Sequence, residues 1–214
     1  MSWMITASGA EYHFTGYEAC TESGRPVRIE DIAHQLAQIN RFCGATKRPY
    51  SVAEHSLLVS EFVQRDGRGA TVQLAALLHD AHEIYTNDVS SPAKQAINLR
   101  AVQSGGTQAW RQFEREHEDT VRRHFGVQTT FSAHRLVLQH FDLVALATER
   151  RDLLNWTPAS ARWEILRDGQ PGAIPPADWL TLDCPHRAGF AWTDWRDAFL
   201  GRFQELTFFL KGQG

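Results

Sequence analysis

The stretch Leu74-Ala75-Ala76-Leu77-Leu78-His79-Asp80-Ala81-His82-Glu83-Ile84-Tyr85 joins a helical apolar stripe to four titratable side chains. Leu74, Leu77, Leu78, Ala81 and Ile84 or Tyr85 recur at the three- and four-residue spacing of one helix face. Such a stripe faces a core, and charge set along it is costly unless it is paired or bound to a metal. The spacing therefore predicts a core helix, opening after Gly67 and Gly69, that carries His79, Asp80, His82 and Glu83.

On the N-terminal side, Ser51-Val52-Ala53-Glu54 has the form of a capping box, in which each side chain satisfies a free backbone N–H. It predicts a helix over 51–65 with His55 in its first turn. Ile29, Ile32, Leu36 and Ile39 predict another over 29–42. Residues 1–28 are interrupted by Gly9, Gly16, Gly24 and Pro26, the pattern of an irregular arm or small hairpin.

On the C-terminal side, Thr86 to Gly106 reads as a long polar loop broken by the apolar stretch Ala93 to Leu99. Trp110, Phe113, His117, Val121 and Phe125 predict a helix over 107–125. A further helix opens at Ser132 and sets Leu138, Asp142, Ala145, Glu149 and Leu153 on one side. Pro158, Pro171, Pro175, Pro176 and Pro185 argue against helix through 157–190, leaving an irregular lid or wrap. Trp192, Trp195, Phe199, Phe203, Leu206 and Leu210 close the chain with an apolar helix over 191–212. The expected fold is all-α, one domain with its core over 29–156.

The chain has 214 residues, 43% of them hydrophobic, enough for one buried core. A net charge of −3 gives no electrostatic reason to bind a nucleic-acid polymer, although a local pocket for one phosphate stays open. No apolar run is longer than the stretch Leu74 to Leu78, far below the roughly 18 residues that span a bilayer. The N-terminus lacks a basic flank before an apolar stretch, so cytoplasm is the expected compartment. Cys20, Cys43 and Cys184 form no CxxC pair and are expected to be reduced.

His55, His79, Asp80 and Asp142 are the candidate metal ligands. Two imidazoles and two carboxylates suit a borderline-hard divalent ion such as Mn, Co, Fe, Zn or Mg. Adjacent helical residues point about 100° apart, so His79 and Asp80 can share one ion only at a crowded helix junction. Glu83 stands one helical turn beyond His79, placed to handle a proton in transit. Arg41 offers a planar fork that fits phosphate, and Lys94 adds a point charge.

Six ordered motifs carry a family resemblance: Asp31-Ile32-Ala33-His34; Gln38-Ile39-Asn40-Arg41-Phe42; Tyr50-Ser51-Val52-Ala53-Glu54-His55-Ser56; Leu77-Leu78-His79-Asp80-Ala81-His82-Glu83; Asp88-Val89-Ser90-Ser91-Pro92-Ala93-Lys94; and Asp142 with Thr148-Glu149 and Asp152. Over about Ile29 to Trp156 the chain resembles the HD-domain metal-dependent phosphohydrolases, in particular the branch of small 5′-deoxynucleotidases and phage-type deoxynucleotide hydrolases. The resemblance implies a helical bundle with a divalent ion on His55, His79, Asp80 and Asp142, and Glu83, Asp88 and Arg41 as catalytic residues. It implies that Arg41 orients the phosphate and that Ser91, Pro92, Ala93 and Lys94 form a substrate-binding turn. Asp88 corresponds to an acid that touches the sugar or the attacking water. Phe42 stands where the family's Trp forms an aromatic wall against a 2′-hydroxyl. Glu149 and Asp152 are expected to hold structural salt bridges.

The implied activity is hydrolysis of deoxyribonucleoside 5′-monophosphates to deoxynucleoside and phosphate. A triphosphohydrolase releasing triphosphate uses the same ligands and needs further cations, for which Lys47, Arg48 and Arg100 are candidates. A non-catalytic nucleotide-binding regulatory module is the reading from another class. His34, His82, His117, His124, His134, His140 and His186 read as satisfied or surface imidazoles. Trp192, Trp195, Phe199, Phe203 and Phe209 read as core or as the interface of a homodimer or higher homo-oligomer.

Overall fold

The computed structural model describes residues 2–159 and 162–212, so residues 160 and 161 of the Pro-rich segment lie outside the described residues. The chain is all-α apart from one hairpin, β1 (Trp3–Ile5) and β2 (Glu11–His13), antiparallel with Met4 opposite Tyr12. An isolated hairpin is marginal in water. This one is held by Tyr12, which is fully buried, stacks on Tyr85 at 3.7 Å between ring centroids and lies 2.8 Å from His117 Nδ1.

Helices α1 (Ile29–Leu36), α2 (Val52–Arg65), α3 (Ala70–Leu77) and α8 (Arg135–Leu153), with the C-terminal α10 (Trp192–Lys211), make the body. Between α3 and α8 lie α4 (Glu83–Thr86), α5 (Ser91–Gln103), α6 (Ala109–His124) and α7 (Gln128–Ala133), and the short α9 (Pro185–Ala188) precedes α10. Helix α2 is central and packs against α3, α8 and α10. Val52 and Ala53 join Ile32, Leu36, Leu77, Leu78, Phe199 and Leu206 in one apolar cluster. Leu58, Val59, Phe62 and Val63 join Tyr50, Leu138, Ala145, Leu153 and Leu182 in a second. Of the C-terminal aromatics, Phe199 is core, Trp195 and Phe203 pack against it, and Trp192 and Phe209 are exposed. No helix among the described residues is long and apolar enough to cross a membrane.

Four local expectations change. Helix α1 ends at Leu36 because the chain must turn to pair with the start of α2: Arg41 N donates to Tyr50 O and Val52 N to Ile39 O. Only half of the capping box forms. Ser51 Oγ accepts from Glu54 N, but the buried Glu54 carboxylate takes Arg48 and Arg187 instead. The core helix does not run on to Tyr85; α3 stops at Leu77, and residues 78–82 form turns before α4. The expected loop 86–106 contains α5, where Pro92 occupies the first turn, a position that tolerates a missing N–H. No residue of α5 is buried.

The Pro-rich segment runs over α8 and is tied to it. Ala177 N donates to Thr148 Oγ1 at 2.9 Å, Leu182 N to Asp152 Oδ2 at 2.8 Å, and Arg151 to the carbonyls of Ala177 and Leu180 at 2.7 Å. Leu166 and Leu182 are fully buried. Leu182→Ala is expected to cost about 2–5 kcal/mol through the cavity it leaves. Denaturant unfolding checks this, and a loss under about 1 kcal/mol would mean that the segment only rests on α8.

Candidate metal centre

The interruption after α3 is what lets neighbouring residues converge. On a continuous helix His79 and Asp80 would diverge, whereas in the turn His79 Nε2 lies 3.0 Å from Asp80 Oδ2. Buried His55, from the first turn of α2, brings its Nε2 to 3.1 Å from His79 Nε2 and 3.5 Å from Asp80 Oδ2. From α8, half-exposed Asp142 places Oδ1 3.2 Å from His55 Nε2 and 3.9 Å from His79 Nε2. Two helices and one turn thus bring together His55, His79 and Asp80, whose ligand atoms lie within 4.8 Å of one another, with Asp142 beside both imidazoles. Atoms held about 2.0–2.2 Å from a common ion sit roughly 3.0–3.5 Å apart, the range that most of these pairs occupy.

The hydrogen bonds behind the ring explain why a cation fits. His79 Nδ1 lies 2.8 Å from Ala76 O, and a carbonyl only accepts, so Nδ1 carries the proton. His55 Nδ1 lies 2.5 Å from Glu149 Oε1. Burial opposes charge on Glu149, but Arg41 and His55 outweigh it and bring its carboxyl down to about 2, so the imidazole is again the donor. Both Nε2 atoms then face one another and two carboxylates, an arrangement satisfied by a positive charge, whether a proton on His55 or a metal ion. The same demand appears in the imidazole itself: burial and Arg41 disfavour its charged form, yet Glu149 and Asp142 lift His55 to about 9. Burial also favours neutral Asp80, but His79, His55 and Arg41 hold it well below the usual carboxylate range.

Arg41 is the buried cation at the rim. Its Nε and Nη2 donate to Glu149 Oε2 at 3.3 and 3.2 Å, while Nη1 lies 3.7 Å from Asp80 and 4.0 Å from Asp88. Part of the fork expected to be open for phosphate is therefore taken by a carboxylate, and the Nη1 edge faces the metal centre. Glu83, at the start of α4, is 3% exposed, and its Oε2 has no hydrogen-bond partner among the described residues. Burial, then the charges of Asp80 and Asp88, push its carboxyl well above the usual range. Burial likewise raises Asp88. Its neighbour Asn87, at φ 61° and ψ 161°, occupies a backbone region that is essentially glycine's, a strained turn beside the site.

Ser91, Pro92, Ala93 and Lys94 form the first turn of α5, not a loop. Lys94 Nζ donates to Glu114 Oε1 of α6 and lies in the electrostatic reach of Glu83 and Asp80. Phe42 is half-buried under Arg41, whose Cζ is 5.5 Å from the ring centroid. Two residues were given no site role by sequence reasoning. Tyr50 OH donates to Glu149 Oε1 at 2.9 Å, and Glu149, fully buried, joins Tyr50, His55 and Arg41 in one network. The usable signal was spacing, since Glu149 lies two helical turns beyond Asp142 on the same face. None of the other described histidines contributes to this centre: His117 serves Tyr12, His34 meets Trp192 edge to face, and His82 Nε2 faces Glu114 at 3.7 Å.

A scan against protein-family models finds no match. The chain is 31% identical over 207 residues to "Uncharacterized protein YfdR" of Escherichia coli strain K12, an alignment covering 97% of each chain. Over 81 residues it is 52% identical to "Uncharacterized protein RCAP_rcc00048" of Rhodobacter capsulatus, covering 36% of this chain and 41% of that one. With fold and site set beside a relative matched along nearly its whole length, the chain belongs to the family of Escherichia coli YfdR.

Proposed function

We propose that this protein is a divalent-metal-dependent phosphohydrolase of the HD-domain type, acting on deoxyribonucleoside 5′-monophosphates. The observation that carries the reading is the convergence of His55 Nε2, His79 Nε2, Asp80 Oδ2 and Asp142 Oδ1, with both Nδ1 protons turned outward. Mn, Co, Fe, Zn and Mg all suit such a donor set. A bound ion supplies a water of lowered pKa and neutralises charge on the phosphoryl oxygens. Arg41 Nη1 orients the phosphate from the opposite rim, and Lys94 with the first turn of α5 adds positive potential. Glu83, buried and with its carboxyl pushed well above the usual range by burial and by Asp80 and Asp88, handles the proton as the P–O bond to the 5′-oxygen breaks. Asp88 faces the same space beside Arg41.

Monophosphate is favoured over triphosphate because two of the cations considered for a longer phosphate chain are engaged elsewhere. Lys47 donates to Asp152 O, and Arg48 to Glu54 and Leu182 O. A binding module without turnover is disfavoured by the buried, unpartnered Glu83 Oε2, an acid kept where a purely structural site has no use for it. We place the enzyme in the cytoplasm as a homo-oligomer, with exposed Phe208 and Phe209 of α10 as contact candidates.

The test is hydrolysis of matched deoxy and ribo mono- and triphosphates with Mn or Co, separating phosphate from triphosphate. Phosphate from deoxymonophosphates supports the reading; triphosphate release or no turnover overturns it. Glu83→Gln is expected to keep metal content and to lose about 10²–10⁴-fold in turnover. Equal loss of metal and activity in that variant would make Glu83 a ligand or a structural group.

A further inference from the structure

We infer that Trp163 and Phe42 form a nucleobase subsite at the mouth of the metal centre, with Trp163 supplied by the Pro-rich segment. The inference rests on the nucleotide reading of that centre and adds the part of the substrate remote from phosphorus. Phe42 and Cys43 both lie in the left-handed region, at φ 55° and 52°, where side chains other than glycine's are strained. The strained turn holds the Phe42 ring beside the Arg41 guanidinium, whose Nη1 reaches toward Asp80. A continuous path of contacts thus runs from the metal ligands to this ring.

Trp163 faces it from the other side. The two ring centroids are 6.5 Å apart at 45°, and both rings are half-exposed. That separation and tilt are those of an ordinary aromatic pair, so a planar base stacks on the outward faces that both half-exposed rings leave open, without parting them. Trp163 is also held in place. Arg150 lies 5.2 Å from its centroid and 4.0 Å from that of Trp156, and forks onto both oxygens of Asp168, which accepts from Trp163 N at 2.7 Å. A half-exposed indole fixed by a cation, a carboxylate and its own backbone is a prepared surface. Stacking tolerates any base, so this subsite gives affinity for the nucleoside end with little discrimination among bases.

The experiment compares deoxynucleoside 5′-monophosphates with 2-deoxyribose 5-phosphate, the same sugar phosphate without a base, in wild type, Trp163→Leu and Trp163→Phe. Trp163→Leu is expected to raise KM for the nucleotides about 5- to 100-fold and to leave hydrolysis of deoxyribose 5-phosphate unchanged; Trp163→Phe restores most of the loss. Equal effects on both substrates, or none on either, overturn the subsite. If wild type hydrolyses neither compound, the hydrolase reading fails by itself. Equilibrium dialysis of a deoxynucleoside against wild type and Trp163→Leu then decides the subsite. Binding lost in the variant keeps it, and equal or absent binding removes it.

Discussion

An Asp80→Ala protein is expected to fold, to retain no divalent ion after dialysis against Mn or Zn, and to lose deoxynucleotide hydrolysis together with the metal. Asp80 Oδ2 is the carboxylate atom nearest His79 Nε2, at 3.0 Å, and lies 3.5 Å from His55 Nε2. Removing it takes one ligand and one negative charge from the centre, so metal affinity should fall by more than the about 10- to 100-fold typical of losing an outer-shell partner. Folding should survive because the side chain occupies a polar centre between cationic and acidic neighbours, and Glu83 and Asp88 are relieved of a like charge. Two measurements check this. Metal content after dialysis should approach zero, and added metal should raise the melting temperature of wild type but not of the variant, since only a ligand that binds the folded state stabilises it. A variant that keeps wild-type metal content removes Asp80 from the ligand set, and an active one removes the proposed function.

The sequence was most informative where burial is one-sided. The 29–36 helix was legible because Ile29, Ile32 and Leu36 mark one apolar face, the 52–65 helix because Ser51 and Glu54 have the form of its cap, and the hairpin because Gly9 separates two short aromatic segments. His55, His79, Asp80 and Asp142 were legible as charges set against apolar stripes. The break at Leu78 was not, since Leu77 to Tyr85 continues a helical pattern and only the meeting with α2 and α8 dictates a turn. Helix α5 was hidden because it buries no residue and so carries no apolar face, which left its stretch to read as a polar loop. The role of Glu149 was hidden by distance along the chain: its partners His55, Tyr50 and Arg41 lie 94, 99 and 108 residues away. A local pattern shows that a buried carboxylate must have partners, and only the tertiary fold shows that one of them is a candidate metal ligand.

Replacing Glu149 should then injure stability and metal binding at once, which separates it from an acid on the protein surface. The carboxylate is fully buried, accepts from Tyr50 and from two nitrogens of Arg41, and fixes the tautomer of His55. Glu149→Ala leaves the Arg41 charge buried with only the longer contacts to Asp80 and Asp88, a loss of about 3–5 kcal/mol. For a chain of this size that lowers the melting temperature by roughly 10 °C or more. Freed of its acceptor, His55 can turn or change tautomer, and metal affinity should fall about 10- to 100-fold. Glu149→Gln keeps the volume and one acceptor oxygen, so it should recover part of the stability while leaving the imidazole without a carboxylate. The acid limb gives a separate check on charge. The Glu149 carboxyl lies at about 2 in the fold against an ordinary value near 4.5, so the stability it adds is complete above pH 4.5 and is lost as pH falls from there toward 2. Unfolding free energies measured across that window should therefore converge for wild type and Glu149→Gln as the pH drops. Parallel curves would mean that shape, and not charge, is what Glu149 contributes, and that His55 is oriented by packing alone.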